Sequence, residues 1–511
     1  MPNYIEKILR AKVYDVAEET PLDFAPTLSE RLNNRVYLKR EDLQSVFSFK
    51  LRGAYNKIAS LTAGQTAKGV IAASAGNHAQ GVALAAKKLG IKALIVMPKT
   101  TPDIKLRSVK ARGAKIVLHG DSYDEAYKHA MELVQEKGMT FIHPYDDPEV
   151  IAGQGTVAME ILRQHNADIH AIFVPVGGGG LLAGIAAYVK FVHPNIKVIA
   201  VEPDDADCLN QALLAGYRVE LAQVGLFADG VAVKQIGAEP FRLAQLYVDQ
   251  VITVNTDEIC AAIKDIFDDT RSVAEPAGAL AVAGLKKYVE QTKLVQQTLV
   301  AIDSGANMNF DRLRYVAERT LVGEHREILL AVAIPETPGS FLKFCKLLGK
   351  RNVTEFNYRY FDQRIAQIFV GISSSGAEAD KQQLLEHLTE EGFSLTDMTG
   401  SELAKDHIRY MVGGHAPREL HESVYSLQFP ERPGALLKFL IALDSQWNIS
   451  LFHYRNHGSA FGKVLIGLQI PLGEQSLFEH CLQALGLNYR DESADPAYKL
   501  FAGGSEANPP L

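Results

Sequence analysis

The sequence predicts an α/β protein. A two-lobed region built on parallel sheets, with helices on both faces, is followed by two ferredoxin-like (ACT-like) α+β modules. Three observations predict this. Short, wholly apolar runs alternate with helical stretches over roughly the first 311 positions. Strands buried on both faces, as in parallel sheets, read as such runs. After about Arg326 the strands alternate polar and apolar residues instead, and that later part repeats itself.

Taken in order, residues 69–73 read as a strand, Asn77–Leu89 as a small-residue helix and 93–98 as the next strand. Residues 104–112 read as a helix and Lys115–Leu118 as a strand, with further strands at Ala171–Pro175, 198–202 and 298–302. Two blocks of such units predict two lobes with a cleft at the C-terminal ends of their strands. The expected limits are 1–320, with a small lobe of about 42–155 inserted in the large one, and a connector at 321–326.

The repeat follows. Pro335-Glu336-Thr337-Pro338-Gly339 recurs 95 residues later as Pro430-Glu431-Arg432-Pro433-Gly434, and Leu342-Lys343-Phe344 recurs as Leu437-Lys438-Phe439. Val353-Thr354-Glu355-Phe356-Asn357-Tyr358-Arg359 recurs as Ile449-Ser450-Leu451-Phe452-His453-Tyr454-Arg455, now offset by 96. A matched series of this length marks a duplicated module, expected at 327–416 and 421–511. Each copy reads strand, helix, strand, strand, helix, strand, the ferredoxin-like order. In the first copy these elements are expected near 328–334, 338–349, 353–360, 365–372, 381–391 and 407–412.

Bulk properties narrow the function. A net charge of −7 without a basic run weighs against nucleic acid or an anionic membrane as partner. Four scattered cysteines, Cys208, Cys260, Cys345 and Cys481, suggest neither a disulfide framework nor a metal site, so a reducing cytoplasm is expected. The first residues carry Glu6, Lys7, Arg10 and Lys12 without an apolar run, unlike a signal peptide, and no run is long enough to span a bilayer.

Four stretches carry chemistry. Lys50, after Ser48-Phe49, opens a helix running through Tyr55 and Ile58. A lysine forms Schiff bases well only when its surroundings lower its pKa from roughly 10.4, and helix N-terminal dipoles and apolar neighbours do so. Ser74-Ala75-Gly76-Asn77-His78 links a strand to a helix, where backbone N–H groups receive a carboxylate. Gly177-Gly178-Gly179-Gly180, before Leu181, forms a phosphate cup at a helix start. Ser304, in Asp303-Ser304-Gly305-Ala306-Asn307, offers a hydroxyl to a ring nitrogen. Glu275-Pro276 reads as a plain helix start. Taken alone, Gly178, Gly180 and Ala183, with Glu202 placed to bind a ribose, also fit a nicotinamide-dependent dehydrogenase.

Together these stretches resemble the fold type II (β) family of pyridoxal-phosphate enzymes. Over nearly the whole chain they resemble the biosynthetic threonine deaminases (threonine ammonia-lyases), which carry paired C-terminal ACT-like domains. The catalytic motifs alone also admit an L-serine dehydratase or serine racemase, and a sensor with a decayed enzyme lobe is a third reading. The resemblance implies pyridoxal 5′-phosphate linked covalently to Lys50. Asn77 would hold its 3′ oxygen, Gly177, Gly178, Gly179, Gly180 and Leu181 its phosphate, and Ser304 its ring nitrogen. Ser74, Ala75, Gly76, Asn77 and His78 would receive the substrate carboxylate. The implied reaction turns L-threonine into 2-oxobutanoate and ammonia, the first committed step of isoleucine synthesis. Isoleucine would inhibit and valine would oppose it, in a cytoplasmic homotetramer without a metal. Phe341, Leu342, Phe356 and Tyr358 are candidate effector-site residues.

Overall fold

Runs of Val, Ile, Leu and Ala that leave no side chain for water become the central strands of two parallel sheets. The computed structural model describes residues 3–165, 167–335, 340–348, 351, 353–358, 365–410, 422–430, 439, 442, 446–455, 461–471 and 473–502. The chain divides into two units, Met1–Val316 and Ala317–Leu511. No helix among the described residues is long and apolar enough to cross a membrane.

The first unit opens its larger sheet with β1 (Leu22–Phe24) and β2 (Arg35–Arg40). It then leaves to build a second sheet from β3 (Val70–Ala73), β4 (Ala93–Met97), β5 (Lys115–Leu118) and β6 (Thr140–Phe141). It returns with β7 (Ala171–Pro175), β8 (Lys197–Pro203), β9 (Gln250–Val254) and β10 (Thr298–Asp303). The larger sheet runs β1-β2-β10-β7-β8-β9, parallel except for the antiparallel edge pair β1 and β2. The smaller runs β5-β4-β3-β6, all parallel. On one face of the larger sheet, Leu38, Phe173, Val201 and Ala301 pack with Leu280 and Ile263. On the other, Ile172, Val198 and Val300 pack with Leu182 and Ile185. Loops that leave the C-terminal ends of β3, β7 and β10 carry 74–76, 176–179 and Ser304.

In the second unit each module is a four-stranded antiparallel sheet. The first contains β11 (Glu327–Pro335), β12 (Val353–Tyr358), β13 (Ile365–Ser373) and β14 (Ser394–Asp397), in the order β12-β13-β11-β14. The second contains β15 (Glu422–Pro430), β16 (Asn448–Arg455), β17 (Phe461–Gln469) and β18 (Asn488–Asp491), in the order β16-β17-β15-β18. Register slips between Val353 and Glu355 and between Ile449 and Leu451, equivalent places 96 residues apart, so even the bulge is duplicated. The modules share a core: Leu329, Ala331 and Phe369 of the first pack with Val424 and Leu465 of the second.

One expected element moves. The last strand of the first module, expected at 407–412, is β14 at Ser394–Asp397. Gly392, at φ +87, turns the chain straight back after the helix Glu378–Glu390, and β14 then pairs with β11. Ser401 accepts from the Ala404 N–H and starts a short helix, Glu402–Asp406, and Ile408–Tyr410 is a single tight turn. The apolar residues there, Leu403, Ala404 and Ile408, join the shared core instead of a strand. Arg319, in the helix Arg312–Gly323, reaches Glu402 at 2.8 Å and Asp406 at 3.1 Å, and Asp406 also pairs with Lys463 on β17.

β2 is hard to foresee because Arg-Val-Tyr-Leu-Lys-Arg looks solvated. Its charges are buried in pairs. Lys39 Nζ donates to Thr20 O and Glu160 Oε2, each at 2.6 Å. Arg40 holds Asp42 at 2.7 Å and Asp23 at 3.0 Å. Two residues beyond Lys50, Arg52 is fully buried and donates to Glu41 at 2.7 and 2.8 Å, to Glu160 at 2.5 and 3.0 Å and to Thr156 at 3.1 Å. That fork fastens the helix Lys50–Ala59 to the turn after β2 and to the helix Pro148–Gln164. Arg52→Met would leave Glu41 and Glu160 buried without it, a loss of about 3–5 kcal/mol. Denaturant unfolding checks this; a loss below about 1 kcal/mol would mean the carboxylates find other partners.

Candidate active site

Lys50 is the first residue of its helix, Lys50–Ala59. Its Nζ lies 3.5 Å from the carbonyl oxygen of Pro144 and 5.2 Å from the centre of the Phe49 ring. Burial pushes the ammonium down to about 8, while the Glu275 carboxylate acts in the opposite direction. The amine is thus far easier to free than an exposed lysine's.

The next residue after Pro144 forms a wall of the glycine cup. A Cβ on Gly178 would lie 2.1 Å from the Tyr145 ring, and one on Gly180 would lie 3.0 Å from Tyr145. One on Gly177 would lie 2.8 Å from the Val231 backbone. Gly179, at φ +86, makes the left-handed turn into the helix Gly180–Val192. The first amides of that helix have no partner one turn earlier, so they are donors for an anion. Only glycine leaves this hollow open.

The loop after β3 completes one wall. Gly76 caps the helix Asn77–Leu89, and its N–H donates to Ser74 Oγ at 3.3 Å. His78 is buried, and its Nε2 is 2.8 Å from the Ile142 carbonyl oxygen, so that nitrogen carries the proton. Burial holds the ring neutral, down to about 3. Ser304 is buried and its Oγ donates to the Ala277 carbonyl at 3.3 Å, while the Phe49 N–H donates to the Ser304 carbonyl. Lys50's neighbour is therefore tied to Ser304.

Two site residues escaped the sequence reading. The Glu275 carboxylate accepts from Asn77 Nδ2 at 2.5 Å, and Asn77 Oδ1 accepts from Asn307 Nδ2 at 2.6 Å. Burial and the nearby Asp229 carboxylate raise Glu275 to about 7. Glu275 does cap the helix Pro276–Thr292, but its side chain makes no capping bond. Glutamate is a poor N-cap residue. That mismatch was the available signal.

Glu202 does not serve a ribose. It is fully buried and accepts the N–H groups of Leu209 and Asn210 at 2.9 and 2.8 Å, tying down the helix Cys208–Ala215. The side chains of Phe341, Leu342, Phe356 and Tyr358 lie outside the described residues.

Parallel sheets, a lysine biased toward its neutral form and an anion cup that only glycine can line define a pyridoxal-phosphate enzyme of the α/β type. Comparison with known proteins agrees. The family "Pyridoxal-phosphate dependent enzyme" matches residues 13–305, and "C-terminal regulatory domain of Threonine dehydratase" matches 318–408 and 413–502. A biosynthetic L-threonine dehydratase of Burkholderia multivorans is 59% identical over 98% of this chain and 99% of its own length. That of Escherichia coli is 54% identical over 98% and 97%. The solved processed form of threonine deaminase isoform 2 from Solanum lycopersicum is 52% identical, with a TM-score of 0.61 over 62% of this chain and 92% of that one. The chain belongs to the biosynthetic threonine dehydratase family of pyridoxal-phosphate dependent enzymes. The residues fit its cofactor: an amine lowered to about 8 suits a carbonyl carbon, and the four glycines bring bare backbone to the helix start, where any Cβ would collide with Tyr145, Val231 or Ile236.

In protein stripped of cofactor, labelling of Lys50 by a limiting acylating reagent should rise through a midpoint near pH 8, not 10.5. The Glu275 carboxylate favours the ammonium, so Glu275→Gln should move the midpoint lower still. Peptide mass spectrometry reads both; a midpoint above about 10 would contradict the lowered pKa.

Proposed function

We propose that the chain converts L-threonine to 2-oxobutanoate and ammonia, the first committed step of isoleucine synthesis, and that isoleucine inhibits it through the C-terminal modules. The observation that carries this reading is the match of a lysine-based pyridoxal-phosphate region and a duplicated regulatory module, in one chain, to threonine dehydratases along nearly their whole length. A serine racemase of Dictyostelium discoideum is 32% identical over 60% of this chain and 99% of its own. A serine-specific reading would leave the modules without a counterpart.

In this reading pyridoxal phosphate supplies an aldehyde that binds amines and a ring that takes up the electron pair left on a deprotonated carbon. Lys50 Nζ would anchor it, and the same amine, with a pKa near the working pH, would serve as the base that takes the α-proton of threonine. The amides of Gly177, Gly178, Gly179, Gly180 and Leu181 would receive the phosphate, and Asn77 would donate to the 3′ oxygen. Ser304, a neutral hydroxyl, would leave the ring nitrogen largely unprotonated, a setting that favours loss of the β-hydroxyl over transamination. Ser74, Ala75, Gly76, Asn77 and His78 orient the substrate carboxylate. His78 is positional: its Nε2–H is engaged and its ring stays neutral.

The proposed limits are a catalytic region to residue 320, a connector at 321–326 and modules at 327–416 and 421–511, close to the regulatory-family matches. The family resemblance carries the remaining parts: valine opposing isoleucine, a homotetramer, a cytoplasmic location and an effector pocket around Phe341, Leu342, Phe356 and Tyr358.

Lys50→Ala should abolish threonine turnover and the visible absorbance of covalently held cofactor, with unchanged circular dichroism. Turnover above background would remove Lys50 from its role. Isoleucine should lower threonine turnover by the full chain and leave a fragment ending at Arg326 unaffected; assays of 2-oxobutanoate formation distinguish the two, and inhibition of the fragment would put the effector site in the catalytic region.

A further inference from the structure

A line of amides runs behind Asn77. Gln80 Nε2 donates to Asn307 Oδ1 at 3.1 Å, and Asn307 Nδ2 donates to the Val46 carbonyl at 2.8 Å and to Asn77 Oδ1 at 2.6 Å. Asn77 Nδ2 in turn donates to Glu275 Oε1 at 2.5 Å. The direction of every bond follows from the first anchor. A backbone carbonyl only accepts, so the nitrogen of Asn307 must face Val46 and its oxygen must face Gln80. The remaining hydrogen of that nitrogen points at Asn77, which must answer with oxygen. Asn77 nitrogen is then turned to Glu275, which takes one of its two N–H groups. A reversed Asn77 would set nitrogen against nitrogen at Asn307 and oxygen against oxygen at Glu275.

We propose that Asn307 is a positioning residue that locks the amide of Asn77 with its nitrogen toward the cofactor, so that the site binds the cofactor's 3′ oxygen as an anion. This rests on the assignment of Asn77 to that oxygen under Proposed function. A donor alone stabilises the deprotonated oxygen; an amide free to turn would also accept from the protonated one and lose that discrimination. Asn307 acts through Asn77 and touches no reacting atom. Its place three residues from Ser304, on the turn that follows β10, puts both residues on one loop.

The experiment uses full-length protein stripped of cofactor and titrated with pyridoxal phosphate, in the parent, Asn77→Ala, Asn307→Ala, Asn307→Asp and the double Asn77→Ala/Asn307→Ala variant. Two readouts are taken: the dissociation constant, and the pH at which the bound cofactor's absorption band changes. Asn307→Ala should weaken binding about tenfold and raise the pH midpoint by about one unit, the same factor read two ways. Asn307→Asp, nearly isosteric, replaces the donor with an acceptor and should weaken binding at least as much. The double variant should be no worse than Asn77→Ala. The proposal is overturned if both Asn307 variants match the parent while Asn77→Ala does not, or if the losses in the double variant simply add. If Asn77→Ala itself matches the parent, the role given to Asn77 falls and this inference falls with it.

Discussion

The site depends on how Arg52 is buried. A guanidinium removed from water is tolerable only when its donors meet charged acceptors, and here Glu41 and Glu160 supply four oxygens. Glu41 follows β2, and Glu160 belongs to a helix that begins just after the Pro144-Tyr145 wall of the anion cup. One planar group thus fixes three separate stretches against each other. Lys50 sits half a turn upstream of it, so its backbone is held by charge pairing while, among the described residues, its own amine forms no such pair. The same region therefore contains a strongly paired cation and a weakly held one, and the proposed function gives the chemistry to the second.

What was legible in the sequence was whatever the backbone itself demands. The four-glycine turn between β7 and the next helix was readable because a Cβ there would collide with Tyr145, Val231 or Ile236. The helix Asn77–Leu89 was readable from its run of small residues, while Lys50 and Ser304 were singled out by the combination of motifs rather than by their own neighbours. Glu275 and Asn307 were not. Their bonds to Asn77 join residues 198 and 230 positions apart, and nothing local announces them. β2 was hidden for a related reason: Lys39 and Arg40 look like surface residues until their acidic partners, brought by distant segments, are in place. The last strand of the first module was misplaced because Leu403, Ala404 and Ile408 advertise burial without saying against what.

Glu275 shows how one carboxyl serves two purposes. Raised to about 7 by burial and by Asp229, it still accepts a hydrogen bond from Asn77. Its charge opposes the tendency of burial to strip the proton from Lys50. The lysine is therefore not driven to complete neutrality, and its amine stays close to the pH at which it can give or take a proton.

The shared core of the two modules has an evolutionary consequence. Leu329, Ala331 and Phe369 face not water but Val424 and Leu465 of the duplicate. A descendant that discarded the second copy would expose a greasy sheet surface, and one that discarded the first would do the same. Loss of regulation in this lineage is therefore expected to remove both copies at once, or to leave both and blunt them by point changes, rather than to pass through a single-copy ancestor.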